Sequence, residues 1–409
     1  MSIEVQLTDV PSALEEYITL PTLGGDLLVF EGQFTLNSGE IECAVSGNVF
    51  YSFCETIELM FEGTTIINDP TAWIGKHALI EAGDSLSGEA LVLQIQGDRI
   101  RGYITYLGDK QSVSCERFRW CYLNAPKILG DNVRRGRTIS MDRLVFQDGD
   151  YQILFENVAG YQEQKSHRAI SHFCELTRQD GRLIPIEDAL DEIQLFSRFV
   201  SFFAGCQHAP FFIEGVDEDK VNYAFHAIAH DRSLVGVSSW RPDFKDKDLI
   251  ALWPKFRAKR EESPDQYDAL NTVIHWYLSA NMNDGLLEGA YILGFAGIQL
   301  LSYEIVGKEL KKNKEIIDDL FTRLNLEAHM NADDISNMRN WLVHYVSENR
   351  VEYQRLSRSE KYLRLEVLLQ VLELAILYWL GYKGHFSNRL GSRWRGEAVG
   401  MVPWLATRN

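Results

Sequence analysis

The feature that most restricts the fold of this chain is a single change in the spacing of its apolar residues near residue 186. From about 25 to 160, segments such as LLVFEGQFTL, ECAVSGNVFYSF, LVLQIQGDRIRGYITYL and DYQILFEN are rich in Val, Ile, Phe and Tyr, punctuated by Gly, Asp and Asn. That pattern predicts antiparallel strands joined by tight turns, with Gly97-Asp98 and Gly108-Asp109 as turn candidates. From Ile186 the period lengthens. Ile186, Leu190, Ile193, Phe196 and Val200 recur at intervals of three and four, which predicts an amphipathic helix through Ala204. A β-rich first part followed by a helical second part is an α+β organisation.

Two strand-like segments, PFFIEG and KVNYAFHAIAHD, precede a charged stretch whose end, Arg257–Asp265, carries Ser-Pro and reads as a domain junction. Helical spacing then dominates. One helix is expected over Tyr267–Asn281 and a second from Asp284 to about Leu310, its stripe formed by Leu286, Ala290, Leu293, Gly297, Leu300 and Leu301. Lys308, Lys311, Lys312 and Lys314 suit its C-terminal end. Gly294 and Gly297, inside this helix, are placed to let a neighbour approach closely. A third helix carries Ile316, Ile317, Leu320, Phe321 and Leu324. A fourth starts at Asp333 or Asp334, with Ile335, Met338, Leu342, Tyr345 and Val346 on one face. The fifth, Tyr362–Leu380, is nearly continuous hydrocarbon and should be the centre of an all-α bundle. The expected division is a β-rich domain over 1–180, a connecting segment over 181–260, a helical bundle over 261–383 and a basic aromatic tail over 384–409.

Charge narrows the partners. The chain has a net charge of −17, yet residues 350–409 hold ten Lys and Arg against five acids, which leaves −22 on the rest. An acidic body disfavours broad nucleic-acid binding, while a basic C-terminal face leaves room for local capture of RNA. Cys43, Cys54, Cys115, Cys121, Cys174 and Cys206 form no C-x-x-C pair and read as reduced, buried thiols of a cytoplasmic protein. The N-terminus has neither the basic nor the apolar part of a secretory signal. The most apolar run, Val367–Leu380, is too short for a bilayer and carries Gln370 and Glu373, so no membrane partner is expected.

The chemistry concentrates in the fourth helix. At about 100° per residue, His344 lies opposite the apolar face, with Asn340 about 40° from it and Arg339 near the edge of the apolar stripe. A core histidine does not sit there; an ordinary polar helix face is the competing account.

The run ISNMRNWLVHY resembles the signature of HEPN domains, an Arg with a polar neighbour followed four to six residues later by His. The resemblance covers about residues 265–382 and includes the helical layout. A fainter one, of layout alone, is to ApeA-type anti-phage proteins, which set a β-rich module and a short helical segment (compare ALDEIQLFSRFVSFFAG) before a HEPN domain. The resemblance implies an N-terminal antiparallel β-rich domain followed by an all-α HEPN bundle. It also implies a metal-independent, cytoplasmic RNA endonuclease, with tRNA as a candidate target, acting in anti-phage defence or growth arrest. Arg339, Asn340 and His344 would be catalytic and no metal or cofactor would be needed. Two copies would pair their motif helices in a homodimer, and a phage protein is a candidate trigger for the β module. Where the family often has Pro after the His, this chain has Tyr345. Where an acid is sometimes found on the second helix, Glu288 and Glu304 are candidates and Gln299 occupies the expected place. Two other readings stand: a HEPN-fold module that senses RNA or a partner protein without cutting, and a dimeric scaffold whose β domain recognises a phage component.

The loose spacing alone decides little, because Arg323 and His329 in RLNLEAH also satisfy it. The second position there is Leu324, and the segment runs into an expected loop. His226 and His230 in HAIAH have Ala227 where a zinc peptidase needs Glu, and the strand-like alternation puts both rings on an outer face. His167, His172 and Cys174 lack a second pair to complete a metal site. No phosphate-binding P-loop and no Gly-x-Ser-x-Gly elbow occur. The tail combines Trp394 and Trp404 with Arg389, Arg393 and Arg395, which suits either RNA stacking or a strap packed on the bundle.

Overall fold

The computed structural model describes all residues except 1–25, 40, 54–56, 66–71, 84, 110–112, 136–137, 159–169, 219, 228–236, 243–245, 283–285, 308–311, 327–331, 345, 391–398 and 406–409. The protein is an α+β chain that divides into two compact units, Met1–Ser197 with His208–Val235, and Arg198–Gln207 with Gly236–Asn409. The expected junction at 257–265 is helical and lies inside the second unit.

In chain order the first unit has β1 (Leu27–Asn37), β2 (Glu42–Phe53), β3 (Ile57–Thr64), β4 (His77–Ala82), β5 (Leu86–Gln96) and β6 (Arg99–Asp109). These close on themselves, because β3 pairs antiparallel with β6 while the others run in the order β3-β2-β1-β4-β5-β6. The result is a six-stranded barrel. Its strands alternate as the sequence does: β4 reads exposed, buried, exposed throughout, and Phe34, Val45, Phe61, Ile80, Val92 and Ile104 fill the interior. So small a ring needs sharp curvature, and glycine supplies it where walls meet. Gly47 and Gly63 face each other in register, and a Cβ on Gly47 would stand 2.0 Å from the Glu62 carbonyl oxygen.

The chain continues through β7 (Ser114–Cys115), β8 (Arg117–Leu123), β9 (Asp131–Arg135), β10 (Thr138–Asp148), β11 (Tyr151–Asn157), β12 (Ile170–Arg178) and β13 (Ile184–Pro185). Helix α1 (Ile186–Ala204), β14 (Phe211–Asp217) and β15 (Lys220–Ala227) follow. The end of β6 pairs with β15, and from there the sheet extends in the order β15-β14-β8-β12-β11-β10-β9. One face of the extension shares the barrel's core through Cys121, Leu123, Ile170, Phe173 and Phe211. The other carries Trp120, Phe146 and Phe155, whose rings stand 5.2–6.2 Å from Phe196 of α1. Tyr122 and Ser197 hydroxyls meet there at 2.6 Å, so the buried hydroxyls satisfy each other.

The second unit contains α2 (Lys247–Glu262), α3 (Pro264–Met282), α4 (Leu287–Val306), α5 (Asn313–Leu324), α6 (Ala332–Val343), α7 (Ser347–Arg355) and α8 (Arg358–Trp379). A short hairpin, β16 (His385–Ser387) with β17 (Val399–Met401), follows. Every residue of α8 from Leu368 to Leu377 is buried, as a hydrocarbon-rich central helix requires. Gly294 and Gly297 permit this packing: a Cβ at either would lie 3.0 Å from Leu368 or Leu372 of α8. Ser357 and Glu360 form a reciprocal capping box that fixes the start of α8.

Several expectations need correction. Leu286 is not part of the packed stripe; it precedes α4 and is 78% exposed. Helix α2 replaces the expected charged linker, because Leu249, Leu252, Trp253 and Phe256 recur at helical spacing and are buried despite Pro254. Helix α6 ends at Val343, so Val346, 53% exposed, belongs to no apolar face, and Tyr345 lies outside the described residues. By length and composition α4 is apolar enough to span a membrane, and its Tyr291, Gly294, Phe295 and Ile298 are buried within the unit.

Candidate active site on the α6–α7 turn

Helix α6 is fixed at its start and middle by neighbours. Tyr291 of α4 donates to the Ile335 carbonyl at 3.0 Å, and Arg364 of α8 pairs with Asp334 at 2.8 Å while lying 5.4 Å from the Trp341 ring. Ile335 and Met338 are buried, as their spacing predicts. This leaves the C-terminal end of α6 to present Arg339 and Asn340, and the chain turns immediately afterwards at His344.

The three motif residues come together. Arg339 Nη1 donates to His344 Nε2 at 3.1 Å and to Asn340 Oδ1 at 3.3 Å, and its guanidinium lies 5.8 Å from the Phe295 ring of α4. Arginine only donates, so Nε2 accepts here and the proton of a neutral His344 ring sits on Nδ1. His344 is exposed; Arg339 and Asn340 are half-buried. An arginine fork beside an imidazole nitrogen, open on one side to solvent, can bind a phosphate and exchange protons with an oxygen attached to it.

The turn itself is held from α7. The Asn349 side-chain amide donates to the His344 carbonyl at 3.1 Å and to the Asn340 carbonyl at 3.4 Å. One helical turn on, Tyr353 donates to the carboxylate of Glu288 at the start of α4, and Lys361 lies 3.8 Å from the Tyr353 ring. That hydrogen bond, with Lys361 nearby, holds the Glu288 carboxyl below its ordinary range. Sequence spacing missed α7 and both contacts, because SENRVEYQR has no apolar period and buries no side chain. Of the acid candidates, Glu288 is thus engaged by Tyr353, Gln299 lies one turn beyond Phe295, and Glu304 is farther along α4.

The competing candidates resolve differently. Arg323 pairs with Asp319 on its own helix, and His329 is outside the described residues. His226 does not face outward: it is 3% exposed, between the rings of Tyr51 and Phe212, and burial lowers its pKa to about 4. The β15 face that holds it turns inward because it adjoins β6 of the barrel. His230 and His167 lie outside the described residues; His172 is buried and stacks on Phe155 at 4.2 Å. The five described cysteines are free and buried, and no group of three metal-binding side chains occurs among the described residues.

In the tail, Arg389 turns inward. Its guanidinium, 2% exposed, binds Glu373 at 2.7 Å, Asn281 at 2.6 Å and the Ser238 carbonyl at 3.0 Å. Trp404 donates to the Tyr382 carbonyl and meets Tyr378 edge to face. These two residues strap the tail to the bundle; Arg393, Trp394 and Arg395 lie outside the described residues.

Residues 109–229 match the family profile described as the YopA central domain, and residues 317–400 match the YopA C-terminal domain. The first covers β7 to β15 with α1; the second includes the Arg339–His344 turn. The chain is 22% identical over 443 aligned residues to the "SPbeta prophage-derived uncharacterized protein YopA" of Bacillus subtilis (strain 168), covering 97% of this chain and 99% of that protein. No solved structure matches. Neither family description names a nuclease.

Proposed function

We propose that the helical unit is a HEPN-type, metal-independent endoribonuclease that works as a homodimer in the cytoplasm. The observation that carries this reading is the contact of Arg339 with His344 on an accessible turn, with Asn340 beside it. In the reaction, an RNA phosphate draws the Arg339 fork away from Nε2, which frees that nitrogen. Nε2 takes the 2′-OH proton, the 2′-oxygen bonds to phosphorus, and the bond from phosphorus to the 5′-oxygen breaks. A protonated imidazole, from the same residue of a second copy, returns a proton to the leaving oxygen. Arg339 stabilises the extra negative charge on phosphorus. The products are a 2′,3′-cyclic phosphate and a 5′-hydroxyl.

The substrate class is RNA, with tRNA as one candidate, and the biological role is anti-phage defence or growth arrest. The prophage origin of the Bacillus relative agrees with a setting of phage–host conflict. In this reading the β-barrel unit senses the trigger, for which a phage protein is a candidate. The test compares purified protein with its His344→Ala variant on tRNA and total RNA, with and without EDTA. Cleavage that His344→Ala abolishes and EDTA leaves intact is expected; equal cleavage by both proteins overturns the proposal.

A second reading is a HEPN-fold module that binds RNA or a partner protein without cutting. It is favoured by the engagement of both reactive groups within one chain: Arg339 occupies Nε2, and Tyr353 occupies the Glu288 carboxylate. RNA retained uncleaved by the wild-type protein would select it.

A further inference from the structure

We infer that Asn349 is the positioning residue of the His344 turn, holding the imidazole in the tautomer and direction in which Nε2 meets Arg339. Its catalytic consequence rests on the nuclease reading above; its structural content does not.

Helix α6 stops at Val343, so His344 lies one residue past the last helical position. Within its own segment the backbone there is tied by the His344 amide to the Asn340 carbonyl at 3.0 Å and by the Val346 amide to the His344 carbonyl at 2.8 Å. A histidine on such a turn has freedom that a mid-helix residue lacks. Asn349 removes it. Its two amide protons reach one carbonyl each, at Asn340 and at His344, so a single planar group spans both ends of the segment that carries the ring. Asn349 is itself anchored, because α7 also carries Tyr353 one turn later, bonded to Glu288 of α4. The segment is thereby referred to α4, the helix on whose Phe295 ring Arg339 rests. Both halves of the Arg339–His344 pair are set from one support.

A merely structural role is separable from this one. Asn349 is the third residue of α7, after Ser347 and Glu348, where a carboxylate favours the helix through its exposed amides. Asn349→Asp keeps size and shape, supports α7, and removes both donors while placing negative charge against two carbonyls. If Asn349 only stabilises α7, the variant behaves as wild type. If it positions the turn, the variant keeps its helix content and loses the ring geometry.

The experiment measures ¹⁵N shifts of the His344 ring in the full chain at neutral pH, in wild type, Asn349→Asp and Asn349→Ala. The wild-type ring is expected as the Nδ1-protonated tautomer; in both variants the two tautomers are expected to mix. With RNA, kcat should fall by roughly 10- to 100-fold with little change in KM, the size of effect a misplaced reactive group produces. Ring shifts of Asn349→Asp that coincide with wild type overturn the proposal. If the wild type cuts no RNA and the ring shifts still change, the nuclease reading fails and the positioning role stands.

Discussion

Tyr353 of α7 donates its hydroxyl to Glu288 of α4, which fastens a helix without a single buried side chain to the body of the bundle. The same carboxylate is the acid candidate nearest the start of α4, so one hydrogen bond bears both on the anchoring of α7 and on what Glu288 can do. Tyr353→Phe should cost about 0.5–1.5 kcal/mol of local stability, seen as faster amide exchange over Ser347–Arg355. The Glu288 carboxyl, held low chiefly by this bond, should titrate at higher pH in the variant, as its ¹³C shift would show. The sign follows: a depressed carboxyl contributes stability above its unfolded pKa and loses it as pH falls through the folded one. The anchoring of α7 should therefore weaken in acid in wild type and respond less in Tyr353→Phe. Identical Glu288 titrations in the two proteins would refute this.

Arg339→Lys tests whether the guanidinium fork is needed. Lysine keeps the charge but offers a point donor in place of two parallel ones, so it cannot hold a phosphate in the plane facing His344. Under the nuclease reading, RNA cleavage should drop by about 10²- to 10³-fold, the usual loss when a donor to developing charge is removed. Retention of full activity in Arg339→Lys would show that charge alone suffices.

The pattern of strands was legible, and so were α1, α3, α5 and α8, because burial on one face writes its period into the sequence. What was hidden has physical reasons. Barrel closure depends on β3 meeting β6, a pairing between distant segments that no local pattern encodes. Helix α2 was masked by its charges and Pro254, and α7 by having nothing to bury. The motif was visible as Arg339, Asn340 and His344, but the end of α6 at Val343 was not. The contact between Arg339 and His344 is therefore made around a turn, and the residue that holds the turn, Asn349, carries no signal of its own. His226 is buried where alternation alone puts it outside, because alternation tells one face of a strand from the other and does not say which face another sheet segment will cover.

Arg389 settles the tail at its own position: of the two readings its sequence allows, RNA contact or a strap on the bundle, the buried guanidinium fits the strap. Its guanidinium neutralises Glu373, which is fully buried in the centre of α8 beside the Tyr277 hydroxyl. Arg389→Ala would strand that carboxylate and should destabilise the helical unit by roughly 3–5 kcal/mol. Replacing both partners, Arg389→Met with Glu373→Leu, should recover most of the loss, because the cost lies in the uncompensated charge. Urea denaturation of the three proteins decides it; a single variant as stable as wild type would remove Arg389 from the framework.

Acid should weaken the β-rich unit through two histidines, against the pull of one glutamate. His208 and His226 are buried and neutral, with pKa values lowered by desolvation to about 4 from 6.5. As pH falls below 6.5 the unfolded chain takes up protons that the folded one refuses, and stability declines until about pH 4. Each ring accounts for roughly 3 kcal/mol of that loss. Glu214 works in reverse. Burial raises its pKa to about 7 from 4.5, against the nearby Arg119, so the folded state binds a proton first and gains stability as pH drops from 7 to 4.5. Its contribution, about 3 kcal/mol before solvent screening, offsets one histidine. The wild-type unit should therefore lose stability gently between pH 6.5 and 4.5 and steeply below. Glu214→Gln removes the compensating term, so its decline between pH 6.5 and 4.5 should run about twice as steep. Amide exchange of the barrel strands, followed from pH 7 to pH 4 in both proteins, reads the difference. Parallel curves would mean that Glu214 is not the group opposing the histidines.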